Sequence, residues 1–462
     1  MPGKVTLRAV AGPLTGKAFE FVETDTFVFG RGTDCHGKIP EADGFASRYH
    51  FLLEVSPPQA RIKDLGSLNG TIVNGQKRGG RDAHETPEQG AKREFPKVEL
   101  RSGDQIDVGD TRFVVEIEAP VPPSVAVAPT VLRVAEAAPA PEPPMDDRQA
   151  NRRIQQIVQD LLEKAAPNRP RDAPEIPGYA LEKQLGAGGM GAVFLARRLR
   201  DGHPFAVKVM LPRVATDPQR IKDFIREASV AIQLKHPNIA ETYELGQAGN
   251  LLYMIMEFCE CGDVDGLMEK FGGRLPLSAA APLMLQALDA LEHAHTAPIT
   301  VKLASGEERR ERGVVHRDLK PQNILLRGSF ERPTVKLSDY GLAKCFNTAG
   351  LSGHTATGVV AGTPCFMPRE QIIDFKHVKP ASDVWAMGAT FYNMLTGSVP
   401  LDFPADTDPI AVILQGRIVP ARTRNPSLDP RVASVIDHSL EPDPSKRFHT
   451  AAEFRRALAG VL

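Results

Sequence analysis

Between residues 119 and 145 the chain sets Pro120, Pro122, Pro123, Pro129, Pro139, Pro141, Pro143 and Pro144 among alanines and valines. Proline fixes φ and has no N–H to donate, so such a run favours extended polyproline conformations and cannot pack a core. The chain must therefore fold as separate units on either side of a linker, and the expectation is that the units move relative to one another. A length of 462 residues, which predicts two or three domains, fits that division.

Residues 1–118 read as short alternating strands, among them Val5–Val10, Thr26–Phe29, Phe51–Val55 and Arg112–Ile117, punctuated by Gly, Asn and Asp. Strands at this spacing predict an all-β sandwich. The stretch from Gly79 to Lys97 reads as a long loop before the last strands. After the 119–145 linker, residues 146–166 form a helical pattern in which Ile154, Ile157, Val158, Leu161 and Leu162 make one apolar stripe. That helix reads as docked on a neighbouring domain, with a dimerisation or partner helix as the alternative. Residues 167–178 are a short linker. From 179 to 462 strands come first, to about Glu257, and a mainly helical half follows, which predicts an α+β unit in two lobes.

A formal net charge of -1 argues against a nucleic-acid binder held by bulk charge. Cys35, Cys259, Cys261, Cys345 and Cys365 form no CxxC pair, and no His cluster has zinc spacing, so free thiols in a reducing compartment are expected. The N-terminus lacks an apolar stretch of signal-peptide length and no uninterrupted apolar run approaches a membrane span. A cytoplasmic location is the resulting expectation.

The chemistry concentrates in the second half. Gly186, Gly188 and Gly191 form GxGxxG, a backbone able to close over phosphates and offer N–H groups. In Phe205-Ala-Val-Lys208-Val209 one lysine stands among apolar neighbours; buried, it needs an anion, and Glu227 is a suitable acid. In Val315-His-Arg-Asp-Leu-Lys-Pro-Gln-Asn-Ile-Leu-Leu326, Asp318, Lys320 and Asn323 fall in one loop. An acceptor hydroxyl needs a carboxylate, a transferring phosphoryl needs a cation, and a metal needs an oxygen ligand. Asp339, in Ser338-Asp-Tyr-Gly341, offers a second oxygen donor for a hard cation.

The order GxGxxGxV, AVK, HRDLKPxN and DxG resembles the protein-kinase signature set from about Tyr179 to Leu462. The resemblance implies a two-lobed fold (lobes 179–257 and 262–462) with ATP in the cleft, bound with Mg²⁺ or with Mn²⁺ in its place. It implies that Lys208 holds the nucleotide phosphates and pairs with Glu227, that Asp318 is the catalytic base, and that Lys320 steadies the γ-phosphate. Asn323 and Asp339 would bind the metal. Gly186, Gly188, Gly191, Val193 and Ala206 would line the nucleotide site, Met256 its back, Glu257 and Cys259 the hinge, and Asp263 the ribose side. Lys320 and Gly362-Thr363-Pro364 resemble the Ser/Thr-specific branch. Ser382-Asp383-Val384-Trp385 and an Arg447–Glu370 pair read as scaffold, and Arg317 as a ligand for a phosphate on the activation segment, with Thr355 and Thr357 as autophosphorylation sites.

Three departures stand out. Tyr340 replaces the usual Phe and adds a hydroxyl that needs a partner when buried. Pro368-Arg369-Glu370 replaces Ala-Pro-Glu. Residues Thr296–Arg312 read as an inserted, protruding hairpin.

In the first unit, Gly30-Arg31, Ser47-Arg-Tyr-His50, Asn69-Gly-Thr71 and Asn74-Gly75 together resemble a forkhead-associated (FHA) domain. Such domains read phosphothreonine peptides with strand-end loops, using an Arg fork and hydroxyl or N–H donors. The resemblance implies Arg31, Ser47, Arg48 and Thr71 as phosphate ligands and Asn69 as a ligand of the peptide backbone, with His50 and Asn74 bracing loops. The pairing resembles bacterial, eukaryotic-like Ser/Thr kinases. It implies an enzyme that acts on Ser/Thr hydroxyls of proteins, recruits phosphothreonine partners, and dimerises transiently for trans-autophosphorylation. The alternatives are a pseudokinase scaffold, a signalling adaptor with a weak kinase attached, and a small-molecule kinase of similar fold.

Overall fold

The computed structural model describes residues 3–22, 25–90, 93, 95–118, 176–188, 191–210, 228–248, 251–302, 308–329, 331–340, 364–374, 378–404 and 407–462. The 119–145 linker and the expected helix 146–166 lie outside the described residues.

The N-terminal unit is a sandwich of two sheets. One has the order β2 (Ala18–Phe21), β1 (Lys4–Ala11), β11 (Thr111–Glu118), β10 (Gln105–Val108), β7 (Ile72–Val73), β8 (Gln76–Lys77). The other has the order β4 (Gly37–Lys38), β3 (Asp25–Gly30), β5 (Phe51–Ser56), β6 (Gln59–Asp64), β9 (Val98–Leu100). The period of two is plain in β11, where Thr111, Phe113 and Val115 are buried while Arg112 faces out and pairs with Asp107. Phe29 anchors the core, stacked on Phe51 at 4.6 Å between ring centroids and edge-on to Phe113 at 5.8 Å. Burying each such ring contributes about 1.5–3 kcal/mol, and here it also fixes the end of β3, from which Arg31 projects. Gly30 is required there, because an added Cβ would lie 2.3 Å from the Arg48 carbonyl. The expected loop 79–97 carries a short helical turn, Pro87–Gly90.

The second unit opens with an antiparallel sheet ordered β12 (Tyr179–Gly188), β13 (Gly191–Arg198), β14 (Pro204–Met210), β16 (Leu251–Glu257), β15 (Thr242–Ala248). A helical lobe follows, built around Leu277–Thr296 and Pro380–Thr396. The latter is buried almost all round, so it is the axis of the lobe, and Gly397 ends it in the left-handed conformation. The chain is thus an all-β sandwich followed by a two-lobed α+β unit. The inserted stretch forms the expected hairpin, Pro298–Lys302 against Glu308–Arg312, with Ile299 pinned into the lobe core. The Gln233 side-chain amide meets the backbone of Thr300 through two hydrogen bonds, of 2.9 and 3.0 Å.

The two units rest against each other. Val28, Tyr49, Leu52 and Leu65 of the sandwich share a buried cluster with Met367, Ile372, Leu401 and Ile413 of the helical lobe. Lys63 Nζ lies 2.8 Å from Asp408 Oδ2, each side chain only 5% exposed, and the Gln415 amide donates to the Leu65 carbonyl. The proline-rich segment bears on how the chain connects, whereas this apolar cluster decides where the units rest.

Candidate functional site

The loop His316–Asn323 is hung from Asp383, in the first turn of the axial helix. Asp383 accepts the backbone N–H of His316 at 2.7 Å and of Arg317 at 2.9 Å, and His295 Nε2 lies 2.7 Å from the same carboxylate. Burial works to raise the Asp383 pKa, but these donors outweigh it and hold the carboxyl below its usual range. His316 is buried and kept neutral, its pKa lowered by burial. Its Nδ1 faces the Asp318 N–H at 3.3 Å, so Nε2 carries the proton donated to the Ser338 carbonyl at 2.8 Å. Arg317 and Asp339 adopt φ of 71° and 61°, a conformation costing non-glycine residues of order 1–3 kcal/mol each and held here by the surrounding bonds.

Around this frame the sequence-predicted groups converge. Lys320 Nζ lies 2.9 and 3.1 Å from the two Asp318 oxygens. Asn323 Nδ2 donates to the Asp318 carbonyl at 2.6 Å and to its carboxylate at 3.0 Å. With both donor bonds turned inward, the Asn323 amide oxygen is left as an acceptor. Lys208, on β14 between Val193 and Met254, reaches Asp339 Oδ1 at 2.7 Å. Burial opposes the Asp339 charge, yet Lys208 holds its pKa below the ordinary value. A carboxylate and an amide oxygen are the donor types that suit a hard divalent cation, which draws its remaining ligands from water and phosphates. Glu227, the expected partner of Lys208, lies outside the described residues.

Gly186 and Gly188 on β12 pair with Val193 and Gly191 on β13, so the glycine pattern lies on the arms of one hairpin. Ala206 is buried opposite Met256, which with Thr242, Met254 and Tyr340 backs the site. The Glu257 side chain is buried and anchored by Lys336 at 2.9 Å and by Arg327; burial disfavours its charge, but Lys336 and Glu241 hold its pKa down. Cys259 is buried and its thiol pushed up to about 12 by that burial, so it stays protonated. Asp263 caps the helix Val264–Lys270, accepting the Gly266 N–H at 2.8 Å, and burial raises its pKa. Its carboxylate is thus committed at least in part to the cap. Arg327, Lys336 and His295 were missed from sequence. Lys336 had the same signal as Lys208, a lysine flanked by Val335 and Leu337 on a strand.

The scaffold expectations also find their geometry. Arg447 meets Glu370 at 3.0 Å, Ser382 donates to the same carboxylate at 2.8 Å, and Trp385 donates to the Leu440 carbonyl. Tyr340 is buried, and its hydroxyl has no hydrogen-bond partner among the described residues. Thr355, Thr357 and Thr363 lie outside the described residues.

At the sandwich loops, Arg31 is steadied by its Nε donating to the Ala46 carbonyl, while its N–H meets the Ser47 carbonyl at 2.9 Å. Ser47 Oγ accepts the Leu68 N–H at 2.8 Å, leaving its own proton to give. Arg48 is exposed, its guanidinium over the Tyr49 ring, and Asn69 donates to the Phe45 carbonyl at 2.8 Å. His50 and Asn74 brace loops as expected. Thr71 departs from expectation: it is buried and donates to Asp64 Oδ2 at 2.7 Å. Asp64, itself buried, must collect donors from Gly66, Ser67 and Thr71, and that demand takes the Thr71 hydroxyl away from the surface.

A cleft between a five-stranded sheet and a helical lobe, with a lysine from the sheet and an aspartate–lysine–asparagine loop below, defines a protein-kinase fold. The protein kinase domain model matches residues 179–457, and the chain belongs to that family. The FHA domain model matches residues 27–109. The chain is similar to the serine/threonine-protein kinase PknJ of Mycobacterium tuberculosis, 32% identical over 292 residues that cover 62% of this chain and 45% of the relative. It is also similar to PknA of the same species (31% over 288 residues, 61% of each chain) and to PknB of Mycolicibacterium smegmatis (33% over 290 residues, 61% and 43%). The chain thus spans about half the length of the curated relatives it matches. Among solved structures, the Mycobacterium tuberculosis PknI kinase domain aligns with a TM-score of 0.45 at 23% identity, covering 62% of this chain and 98% of that one.

Proposed function

We propose that this chain is a serine/threonine protein kinase that transfers the ATP γ-phosphate to hydroxyls of proteins, with an FHA domain that recruits phosphothreonine partners. The observation that carries it is the convergence of Lys208, Asp318, Lys320, Asn323 and Asp339 within one cleft. Asp318 orients the incoming hydroxyl and takes its proton; Lys320, released from Asp318, meets the charge growing on the transferring phosphoryl. Lys208 moves from Asp339 to the nucleotide phosphates. Asn323 and Asp339 hold Mg²⁺ (or Mn²⁺), which supplies charge neutralisation at the phosphates. Glu257 and Cys259 present the adenine-side backbone, and Asp263 the ribose side. In the sandwich Arg31, Ser47 and Arg48 take the phosphate and Asn69 the peptide backbone.

Thr355 and Thr357 are the sites of autophosphorylation, carried out in trans in a transient dimer, and one of the two phosphates pairs with Arg317. A cytoplasmic location is part of this reading, and the free thiols of Cys35, Cys259, Cys261 and Cys365 support it.

The test is incubation of wild type and Asp318→Ala with ATP and Mg²⁺, followed by phosphosite mass spectrometry. The expected result is phosphate on Thr355 or Thr357 in the wild type alone. Wild type that labels no polypeptide, even after pre-activation by a related kinase, overturns the reading in favour of a docking scaffold.

A further inference from the structure

The loops that carry Arg31, Ser47 and the exposed Arg48 face the helical lobe across a gap. They form one wall of a cleft of about 390 Å³ whose other wall is the helical lobe, contributed by Met367, Arg369 and Ile413. The arrangement is built: the buried Lys63–Asp408 pair and the shared apolar cluster hold the two walls together beside it. Its charge is one-sided. Arg31, Arg48 and Arg369 line it, and its carboxylate, Glu370, is held through Oε1 by Arg447 and Ser382. The Arg369 side chain has no hydrogen bond or ion pair among the described residues; it lines the cleft with Tyr49 of the sandwich and acts electrostatically on Tyr49 as well as on Arg447 and Asp443 of its own lobe. Arg369 also stands where the usual Ala-Pro-Glu has its proline.

We propose that this cleft is a composite phosphothreonine site, with Arg369 of the kinase domain completing Arg31, Arg48 and Ser47, and that its occupant is the chain's own activation segment captured in cis. The inference rests on the kinase and phosphothreonine-reading roles given above. The cleft's cations complement a dianion, and a phosphorylated threonine is the dianion this chain makes for itself. Connectivity fits as well. Residues 341–363 lie outside the described residues and rejoin them at Pro364, three positions before Met367 on the cleft wall. Thr357 and Met367 are ten positions apart in the sequence, a distance that spans at most about 33–36 Å when extended, enough to fold back into the cleft. Tethering sets the effective concentration toward about millimolar, so even a weak site fills. Capture would hold the segment against the helical lobe and close the FHA site to other phosphoproteins.

The test measures binding of a fluorescent peptide of residues 350–362, phosphorylated on Thr357, to the full chain by anisotropy. Five forms are compared: unphosphorylated Asp318→Asn, wild type phosphorylated on the segment (by itself or, failing that, by a related kinase) with sites read by mass spectrometry, Thr355→Val with Thr357→Val, and Arg369→Ala and Arg369→Lys, each added to Asp318→Asn. The unphosphorylated chain is expected to bind. The phosphorylated wild type should bind at least about tenfold more weakly, at every chain concentration, since its own segment competes. The double valine variant should regain binding. Arg369→Ala should weaken it by about tenfold, with Arg369→Lys between, as loss of one charge-assisted contact predicts; equal thermal unfolding of both variants separates this from misfolding. Undiminished binding by the phosphorylated chain overturns the proposal. So does a block that fades on dilution, which would move the occupant to a second copy. Binding by no form overturns the phosphothreonine-reading role and the cleft together, whereas absent self-labelling with intact competition after phosphorylation by another kinase overturns only the kinase role.

Discussion

His50 in the sandwich and His316 in the kinase domain perform the same physical task beside different sites. Each is buried with its pKa lowered by burial, so each ring is neutral. Each takes a nearby backbone N–H on Nδ1, from Ser47 at 3.0 Å and from Asp318 at 3.3 Å. Each then meets a carbonyl of a second loop with Nε2, Gly70 at 3.2 Å and Ser338 at 2.8 Å. What hangs from the two braces differs. In the sandwich the ligand groups stay open: Arg48 and Asn69 are exposed and Ser47 keeps its proton to give. In the kinase cleft the charges are paired with one another, Lys208 with Asp339 and Lys320 with Asp318. A site that binds phosphate can stand ready-made, whereas a site that moves phosphate holds its charges in mutual pairs until the nucleotide divides them.

The sharpest way to break this contrast is to remove one member of the paired set. Asp318→Asn keeps the shape and hydrogen-bonding reach of the side chain but cannot take a proton. A steady-state assay should show kcat lowered by about 10²–10⁴. Phosphopeptide binding at the sandwich should match that of the unphosphorylated wild-type chain. A variant that kept its transfer rate would show that Asp318 is a structural partner of Lys320 and Asn323 only.

A second test addresses the seam where the two regions meet. Lys63→Met strands the buried Asp408 carboxylate, which should cost about 3–5 kcal/mol in chemical denaturation followed at the interface. Adding Asp408→Asn, which still caps Pro409–Gln415, should restore much of that loss. Equal losses in the single and double variants would mean that the pair contributes nothing beyond packing.

What could be read ahead differs between the regions for the same reason. The cleft was legible because transfer chemistry demands particular residue types at short spacing, and Asp318, Lys320 and Asn323 all lie in one loop. The fold class was legible from the period-two strands and the switch to helices. Contacts made by residues far apart in the chain were not. Glu257 meets Arg327 and Lys336, and nothing local to Glu257 announces them. Thr71 looked like a phosphate donor beside Asn69-Gly70, and only the burial of Asp64 explains why its hydroxyl turns inward. The docking of the two units was hidden because Ile410, Ile413 and Leu414 read equally well as ordinary core.

Protonation offers a smaller effect that acts on both braces at once. A histidine whose folded pKa is depressed contributes stability that is fully present above its unfolded value of about 6.5 and is lost as pH falls toward the folded pKa. His50 and His316 both have this sign. Stability should therefore decline below about pH 6.5, by up to about 1.4 kcal/mol per pH unit for each ring. Thermal unfolding from pH 8 to pH 5 checks it, and His50→Gln should flatten the slope by one proton. If the slope were unchanged in His50→Gln, the sandwich brace would already be charged and the symmetry between the two regions would fail.

The smallest expected effect concerns Tyr340, where the kinase brace differs from its counterpart by one oxygen. The Tyr340 ring packs on His316 at 4.5 Å between centroids, and its buried hydroxyl finds no hydrogen-bond partner among the described residues. Burial drives its pKa well above the ordinary phenol value, so the group is a neutral, unsatisfied donor. Such a donor costs about 1–3 kcal/mol, part of which the ring's packing recovers. Tyr340→Phe keeps the ring contact and removes the oxygen, so it should raise stability by about 1 kcal/mol and leave the transfer rate unchanged. Loss of stability in Tyr340→Phe would instead show that the hydroxyl is satisfied by a group within residues 341–363. The tyrosine would then tie the activation segment to the catalytic loop, a contact with no equivalent at His50.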